Sequence, residues 1–225
     1  MKILIGLFVA ISVHLLILSN IQFTAWPEMF SYPYLLNNGF TLFKDQALPY
    51  QPLLVFILSK IYTVFGYDVN VLKIFTWGII LINDLLIFLI SQKLVGKKIA
   101  SLVPLIFYVI VQGIASGNML WFDLATIPFI LSSMYLLVSF NTTKKYFVAG
   151  ILLGLAMLTK QQMLIVPFVL IFYWLIKKNF YVIRQLLFGL LIPWVLILLW
   201  VLSKGIFSDY IFWTFTVPFF WYPQF

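Results

Sequence analysis

The sequence predicts an all-α polytopic membrane protein with about seven transmembrane helices and an interfacial helix in its first external loop. Three observations carry that prediction. Of the 225 residues, 64% are hydrophobic and 9% charged, against roughly 45–50% and about 25% in an average soluble domain. The apolar residues are gathered into blocks close to the ~20 residues that one bilayer crossing needs. The positive residues fall between those blocks in clusters, as topology signals do. Residues 1–225 therefore read as a single membrane domain.

The same composition excludes several function classes. With no cysteine there is no disulfide, zinc-thiolate cluster or thiol nucleophile. The formal charge of +8 is spread as punctuation and never forms a continuous phosphate-tracking patch, so nucleic acid is not an expected partner. No Gly-rich phosphate loop, no Gly-x-Ser-x-Gly elbow and no His-Glu-x-x-His helix occurs.

Candidate spans are 3–21, 71–92, 99–115, 119–140, 146–159, 162–176 and 185–202, with further apolar segments at 52–65 and 210–222. The first run follows Lys2 and lacks a small-residue cleavage site before Trp26 and Pro27, so it reads as an uncleaved helix rather than a signal peptide. Lys2, Lys93, Lys97, Lys98, Lys144, Lys145, Lys177, Lys178 and Arg184 all fall on one side if 52–65 lies at the interface or re-enters instead of crossing. Its length agrees, because Leu53 to Phe65 covers only about 20 Å as a helix. The lysine pairs at 144–145 and 177–178 would face opposite compartments if 146–176 were one helix, so a turn is expected at Thr159-Lys160-Gln161-Gln162. The resulting map has a cytoplasmic N-terminus and a long external segment, 22–70, with short juxtamembrane helices. Gly39 marks a helix stop there, and Pro49 and Pro52 break the chain again.

Few polar groups remain to explain. His14 and Asp84 lie inside spans and read as interhelical hydrogen-bonding or ion-paired residues. Glu28, Asp45, Asp123 and Lys160 all reach the external face under a topology chosen from the other charges. Acids and a base beside a membrane surface suit removal of a proton from a nucleophile and neutralisation of an anionic leaving group. The alternative reading is surface charge for Glu28 and Asp45, anchoring at the headgroups for Lys160, and a cap on the short Gly117-Asn118 turn for Asp123. A divalent cation held by Glu28, Asp45 and Asp123 suits the chemistry of carboxylates, but no spacing specifies one.

At these residues the chain resembles the membrane glycosyltransferases of the GT-C superfamily that use polyprenyl-phosphate sugars. The resemblance is to the branch of protein O-mannosyltransferases and lipid A aminoarabinose transferases. Glu28, in Trp26-Pro27-Glu28, takes the position of an acid just beyond the first helix, with one acid where an Asp-Glu pair is common. Gly39-Phe40-Thr41-Leu42-Phe43-Lys44-Asp45 is similar to a Gly-x-x-x-Tyr-x-Asp pattern with Phe43 for Tyr, and Tyr50-Gln51-Pro52 stands where His-Pro-Pro is frequent. Val64-Phe65-Gly66 closes the interfacial helix as in the family. Asp123, in Trp121-Phe122-Asp123, matches an acid at the outer start of a later helix. The segment from Gly150 through Gly154, Leu155 and Ala156 to Thr159, Lys160 and Gln161 resembles Gly-Leu-x-x-Gly-Leu-Ala-x-x-Thr-Lys.

The resemblance implies inverting transfer of a sugar from a polyprenyl-phosphate donor to a lipid, glycan or protein acceptor at the non-cytoplasmic face of a prokaryotic plasma membrane. It implies Glu28 and Asp45 as the catalytic residues, one of them the base that takes the acceptor proton, Lys160 on the donor phosphate, and Asp123, Tyr50 and Gln161 as substrate-orienting residues. Family members are usually longer, so the chain is expected to be an N-terminal fragment or a reduced homologue. A transporter or flippase subunit relaying protons through Asp84 and Asp123, or a non-catalytic lipid-phosphate-binding assembly protein, is the competing expectation.

Overall fold

The computed structural model describes residues 2–96, 98–115 and 117–221. Lys97, of the positive clusters, and position 222, the end of the last apolar segment, lie outside the described residues. The described chain is all-helical in its regular structure. Its α-helices are α1 (Lys2–Asn20), α2 (Glu28–Asn37), α3 (Leu53–Phe65), α4 (Val69–Val95), α5 (Val103–Ala115), α6 (Phe122–Ser139), α7 (Lys144–Thr159), α8 (Ile165–Ile176), α9 (Phe180–Ser203) and α10 (Phe207–Ile211). Among the described residues α1, α4, α6 and α9 are long and apolar enough to cross a membrane. Shorter apolar helices cover Leu53–Phe65, Ile99–Ile114 and Gln161–Ile176. This is the helix content of a multi-span membrane protein.

Local chemistry sets the boundaries. The Asp68 carboxylate accepts a hydrogen bond from the Asn70 N–H at 2.6 Å and opens α4, satisfying one of the donors every helix start leaves unpaired. Gly66 and Gly96 follow α3 and α4 at φ +84° and +85°, a conformation other residues adopt at a cost. The expected break after Thr159 is present: Lys160 is extended, at φ −148° and ψ 120°, and a short 3₁₀ turn, Gln161–Leu164, leads into α8. The apolar segment near 210–222 forms α10 followed by π-helical turns through Trp221.

The contacts sort the helix termini into two ends of the bundle. At one end Gly6 of α1 packs on Leu102 before α5. There too Lys145 Nζ donates to the Leu137 carbonyl at 2.8 Å, and Tyr146 meets Trp174 at 5.8 Å between ring centres. At the other end Asn118 binds the end of α1, donating to Leu18 O and Ile21 O at 2.9 Å each, and accepts the Trp77 indole N–H at 2.9 Å. The largest core cluster includes Met29, Leu42, Phe43, Leu48, Leu54, Phe122 and Tyr210, which packs the 22–52 segment onto the second end.

Helices α7 and α9 run parallel at very close range. Gly150 of α7 sits on the Leu186 carbonyl, Gly154 on Leu190 and Pro193, and Gly189 of α9 on the Phe147 carbonyl. A Cβ at Gly154 would stand 2.9 Å from Leu190 O, and Cβ atoms at Gly150 or Gly189 would stand closer still to backbone oxygen. Small residues that allow such backbone approach are the means by which apolar helices pack without a hydrophobic driving force. The Gly-x-x-x-Gly stretch is therefore a packing surface, and it fixes the helix whose last turn delivers Lys160.

Inside α1, α4 and α5, His14 Nδ1 lies 2.9 Å from Asp84 Oδ2 and both side chains are fully buried. Pairing of this kind was the expectation for both residues, since an isolated charge at that depth is costly.

Candidate active site

The second end of the bundle collects most of the residues singled out from the sequence. Lys160 Nζ stands 2.5 Å from Asp123 Oδ1, with the lysine side chain 15% exposed and the aspartate 57%. The helix break turns Lys160 away from α7, while Asp123 lies in the first turn of α6, where the helix dipole favours a carboxylate. The cation also lies 5.9 Å from the centre of the Tyr50 ring. With one side of the ammonium on a carboxylate and an aromatic face beside it, the remaining N–H donors suit an anionic group.

Tyr50 stacks on Phe122 at 4.1 Å and meets the edge of Trp121 at 5.8 Å. Trp121 in turn lies 5.4 Å from Trp26, and the Trp26 indole N–H donates to Met119 Sδ at 2.9 Å. Aromatic contacts thus run continuously from Lys160 to the segment that carries Glu28. Gln161 Nε2 donates to the Pro49 carbonyl at 2.8 Å and so clamps the loop that presents Tyr50. Its Oε1 is buried and, among the described residues, meets no hydrogen-bond partner.

Glu28 is the first residue of α2, behind Trp26 and Pro27, and its neighbour Met29 is buried in the core. Glu28 Oε2 is buried and has no hydrogen-bond partner among the described residues. That oxygen keeps its full capacity to accept a hydrogen bond. Asp45 differs. Its Oδ2 accepts the Thr41 N–H at 2.7 Å and its own N–H donates to Thr41 O at 2.9 Å, closing a tight loop. Within that loop Phe43 adopts φ +70° with its ring buried against Tyr210 at 5.1 Å, a conformation that costs a bulky residue roughly 1–3 kcal/mol. Asp45 holds that turn shut.

Sequence reasoning missed Trp26 and Trp121 as parts of the platform, and it missed Gln51. Gln51 is fully buried and accepts the Tyr210 hydroxyl at 2.7 Å, which ties the 40–52 loop to α10. Trp121 adjoins an assigned acid, a signal that was present; Gln51 becomes legible only once α10 is in place. Glu28, Asp45 and Asp123 do not assemble as metal ligands, since no group of three His, Cys, Asp or Glu suited to a metal occurs among the described residues.

A family model described as dolichyl-phosphate-mannose-protein mannosyltransferase matches residues 47–213. The chain belongs to this family. Neither a comparison with curated proteins nor one with solved structures finds a match. The span shared with this mannosyltransferase family contains Tyr50, Asp123, Lys160 and Gln161, while Glu28 and Asp45 precede it. Family membership carries glycosyltransferase potential at a membrane.

Proposed function

We propose that this protein transfers a sugar from a polyprenyl-phosphate donor to an acceptor hydroxyl or amine at the non-cytoplasmic membrane face, with inversion at the anomeric carbon. The observation that carries the reading is the Lys160–Asp123 pair on the Tyr50–Phe122 platform, inside the family match. Lys160 binds the donor phosphate, and Asp123 and Tyr50 hold the ammonium in place. Glu28 takes the acceptor proton as the acceptor oxygen or nitrogen attacks the anomeric carbon. The carbon–oxygen bond to phosphate breaks, and its electron pair leaves with the phosphate beside Lys160. Glu28 is the better base because its Oε2 is unengaged, whereas Asp45 closes its own loop.

An apolar groove of about 240 Å³ supports a prenyl tail. It is lined by Leu54, Ile57, Phe75, Ile79, Ala125 and Thr159, the last two adjoining the Asp123 and Lys160 regions. Through Phe75 it meets a second groove of about 380 Å³ bounded by Ile61, Phe65, Val71 and Ile74. An Ile57→Trp substitution should raise KM for a long-chain donor and leave a donor with one or two isoprene units unaffected. Equal effects on both would remove the tail from this groove.

The site facing is also proposed: the lysines at the opposite end set that end in the cytoplasm. Vesicles carrying the protein, supplied with labelled polyprenyl-phosphate sugar and an acceptor extract, test the reaction. Labelled sugar should move to the acceptor. Glu28→Gln should lower the rate about 100-fold or more, as loss of a general base does, and Asp45→Asn should cost less and also lower thermal stability. Wild-type turnover in Glu28→Gln would reject it as the base, and no transfer by the wild type to any acceptor class would reject the reaction.

A further inference from the structure

The three-helix junction of α1, α4 and α5 contains a polar chain that the proposed reaction does not use. His14 Nδ1 faces Asp84, and His14 Nε2 lies 3.2 Å from Gln112 Oε1. Gln112 Nε2 donates to the Gly117 carbonyl at 3.2 Å. That bond orients the amide so that its oxygen faces His14 Nε2. His14 and Asp84 are 0% exposed and Gln112 is 3% exposed.

The chain continues toward the site. Gly117, at φ +65°, begins the turn in which Asn118 binds Leu18 O, Ile21 O and the Trp77 indole, so that its amide uses both oxygen and nitrogen. The Asn118 carbonyl accepts the Thr24 N–H at 2.9 Å, and Thr24 pairs with Met119 as a short parallel bridge. Two residues further on in each strand stand Trp26 and Trp121, in contact, with Glu28 and Asp123 next.

We infer that the His14–Asp84 pair is a positioning device for the outer-end site, acting through Gln112 and the Asn118 clasp to fix the Trp26 segment against the Trp121 segment. The inference rests on the functional reading for its effect on turnover, but its structural half stands apart from that reading. The pair sets the rotation of α1 against α4 and α5; Gln112 transmits it to the turn; the turn sets the spacing of Glu28 from Asp123 and Lys160. Buried pairs replaced on both sides by well-packed apolar residues often lose no stability, which separates positioning from mere packing.

The chain has no cysteine, so a Thr24→Cys/Met119→Cys background reports the clasp by disulfide formation between neighbouring backbones. His14→Leu/Asp84→Leu and, separately, Gln112→Leu are introduced into that background and into the cysteine-free chain, in membranes. Oxidation of the parent should cross-link most molecules. Both variants should cross-link several-fold less, and the His14→Leu/Asp84→Leu variant should keep thermal stability near that of the parent. In the cysteine-free chain kcat should fall about 10-fold or more with KM for the donor nearly unchanged, as a small misplacement of a reacting group does. Parental cross-linking and kcat in both variants overturn the inference, as does a loss that is recovered whenever thermal stability is recovered. Absence of transfer in the parent would reject the functional reading and leave the cross-link as the test of the clasp. A variant pair that reduces neither cross-linking nor thermal stability overturns the clasp as well.

Discussion

Lys160→Ala is expected to lower sugar transfer by about 10²–10³-fold, the size of effect that follows removal of one preorganised group stabilising a developing charge. The side chain is mostly buried between Asp123 and the Tyr50 ring, so no neighbouring cation replaces it without rearrangement. Both kcat and kcat/KM should fall, because the phosphate gains negative charge only as the glycosidic bond breaks. Lys160→Arg should recover a fraction of the rate: the charge returns, but a planar fork replaces a compact ammonium at a position 2.5 Å from a carboxylate. Asp123→Asn should be milder, with a higher KM, since the ammonium remains but loses the group that orients it. Initial rates in vesicles with labelled donor distinguish the three. A Lys160→Ala rate within twofold of wild type would remove Lys160 from the site.

Gly189→Leu should be the most destabilising of the simple substitutions outside the site. Its side chain would enter the Phe147 carbonyl region, and α7 and α9 cannot give way without separating along the Gly150–Leu186 and Gly154–Leu190 contacts. Overpacking costs roughly 1–3 kcal/mol even where side chains alone must move; here backbone opposes backbone. Gly189→Ala should already lower the thermal midpoint, and Leu should lower it further. Because α7 ends at Thr159 and delivers Lys160, transfer should decline with the same ranking. Gly78→Ala provides the control, since nothing stands within 4 Å of a Cβ there. Equal midpoints for Gly189→Leu and Gly78→Ala would show that the close approach of α7 and α9 is dispensable.

Much of this architecture is legible in the chain because apolar run length and lysine placement are strong, local signals. The break at Thr159–Gln162 follows from lysine pairs at 144–145 and 177–178 and from Lys160 itself, and the helices stop there. His14 and Asp84 are recognisable as a paired set because unpaired polar groups in hydrocarbon are costly. Their acceptor chain through Gln112 is not, since it depends on which faces of α1, α4 and α5 meet. Gly189 is equally silent in sequence: only the parallel packing of α7 and α9 gives it a partner. Around the site, Asp123 and Lys160 come together as their shared end of the bundle implied. Asp45 looks catalytic by position, yet its carboxylate is engaged by Thr41, a local turn that residue identity alone does not reveal. Glu28, Asp45 and Asp123, whose chemistry left a divalent cation open, form no three-ligand group among the described residues, each acid standing on a different loop or helix.

In the proposed mechanism the Lys160 end of the bundle receives a lipid phosphate and presents the attached sugar to Glu28. A structure of the full chain in lipid with a non-transferable polyprenyl-phosphate sugar bound tests it most directly. The expected result is a phosphate oxygen within hydrogen-bonding distance of Lys160 Nζ, the prenyl chain along Ile57 and Phe75, and the anomeric carbon open on the side of Glu28. A phosphate held at the opposite end, beside Lys145 and Lys177, would contradict it.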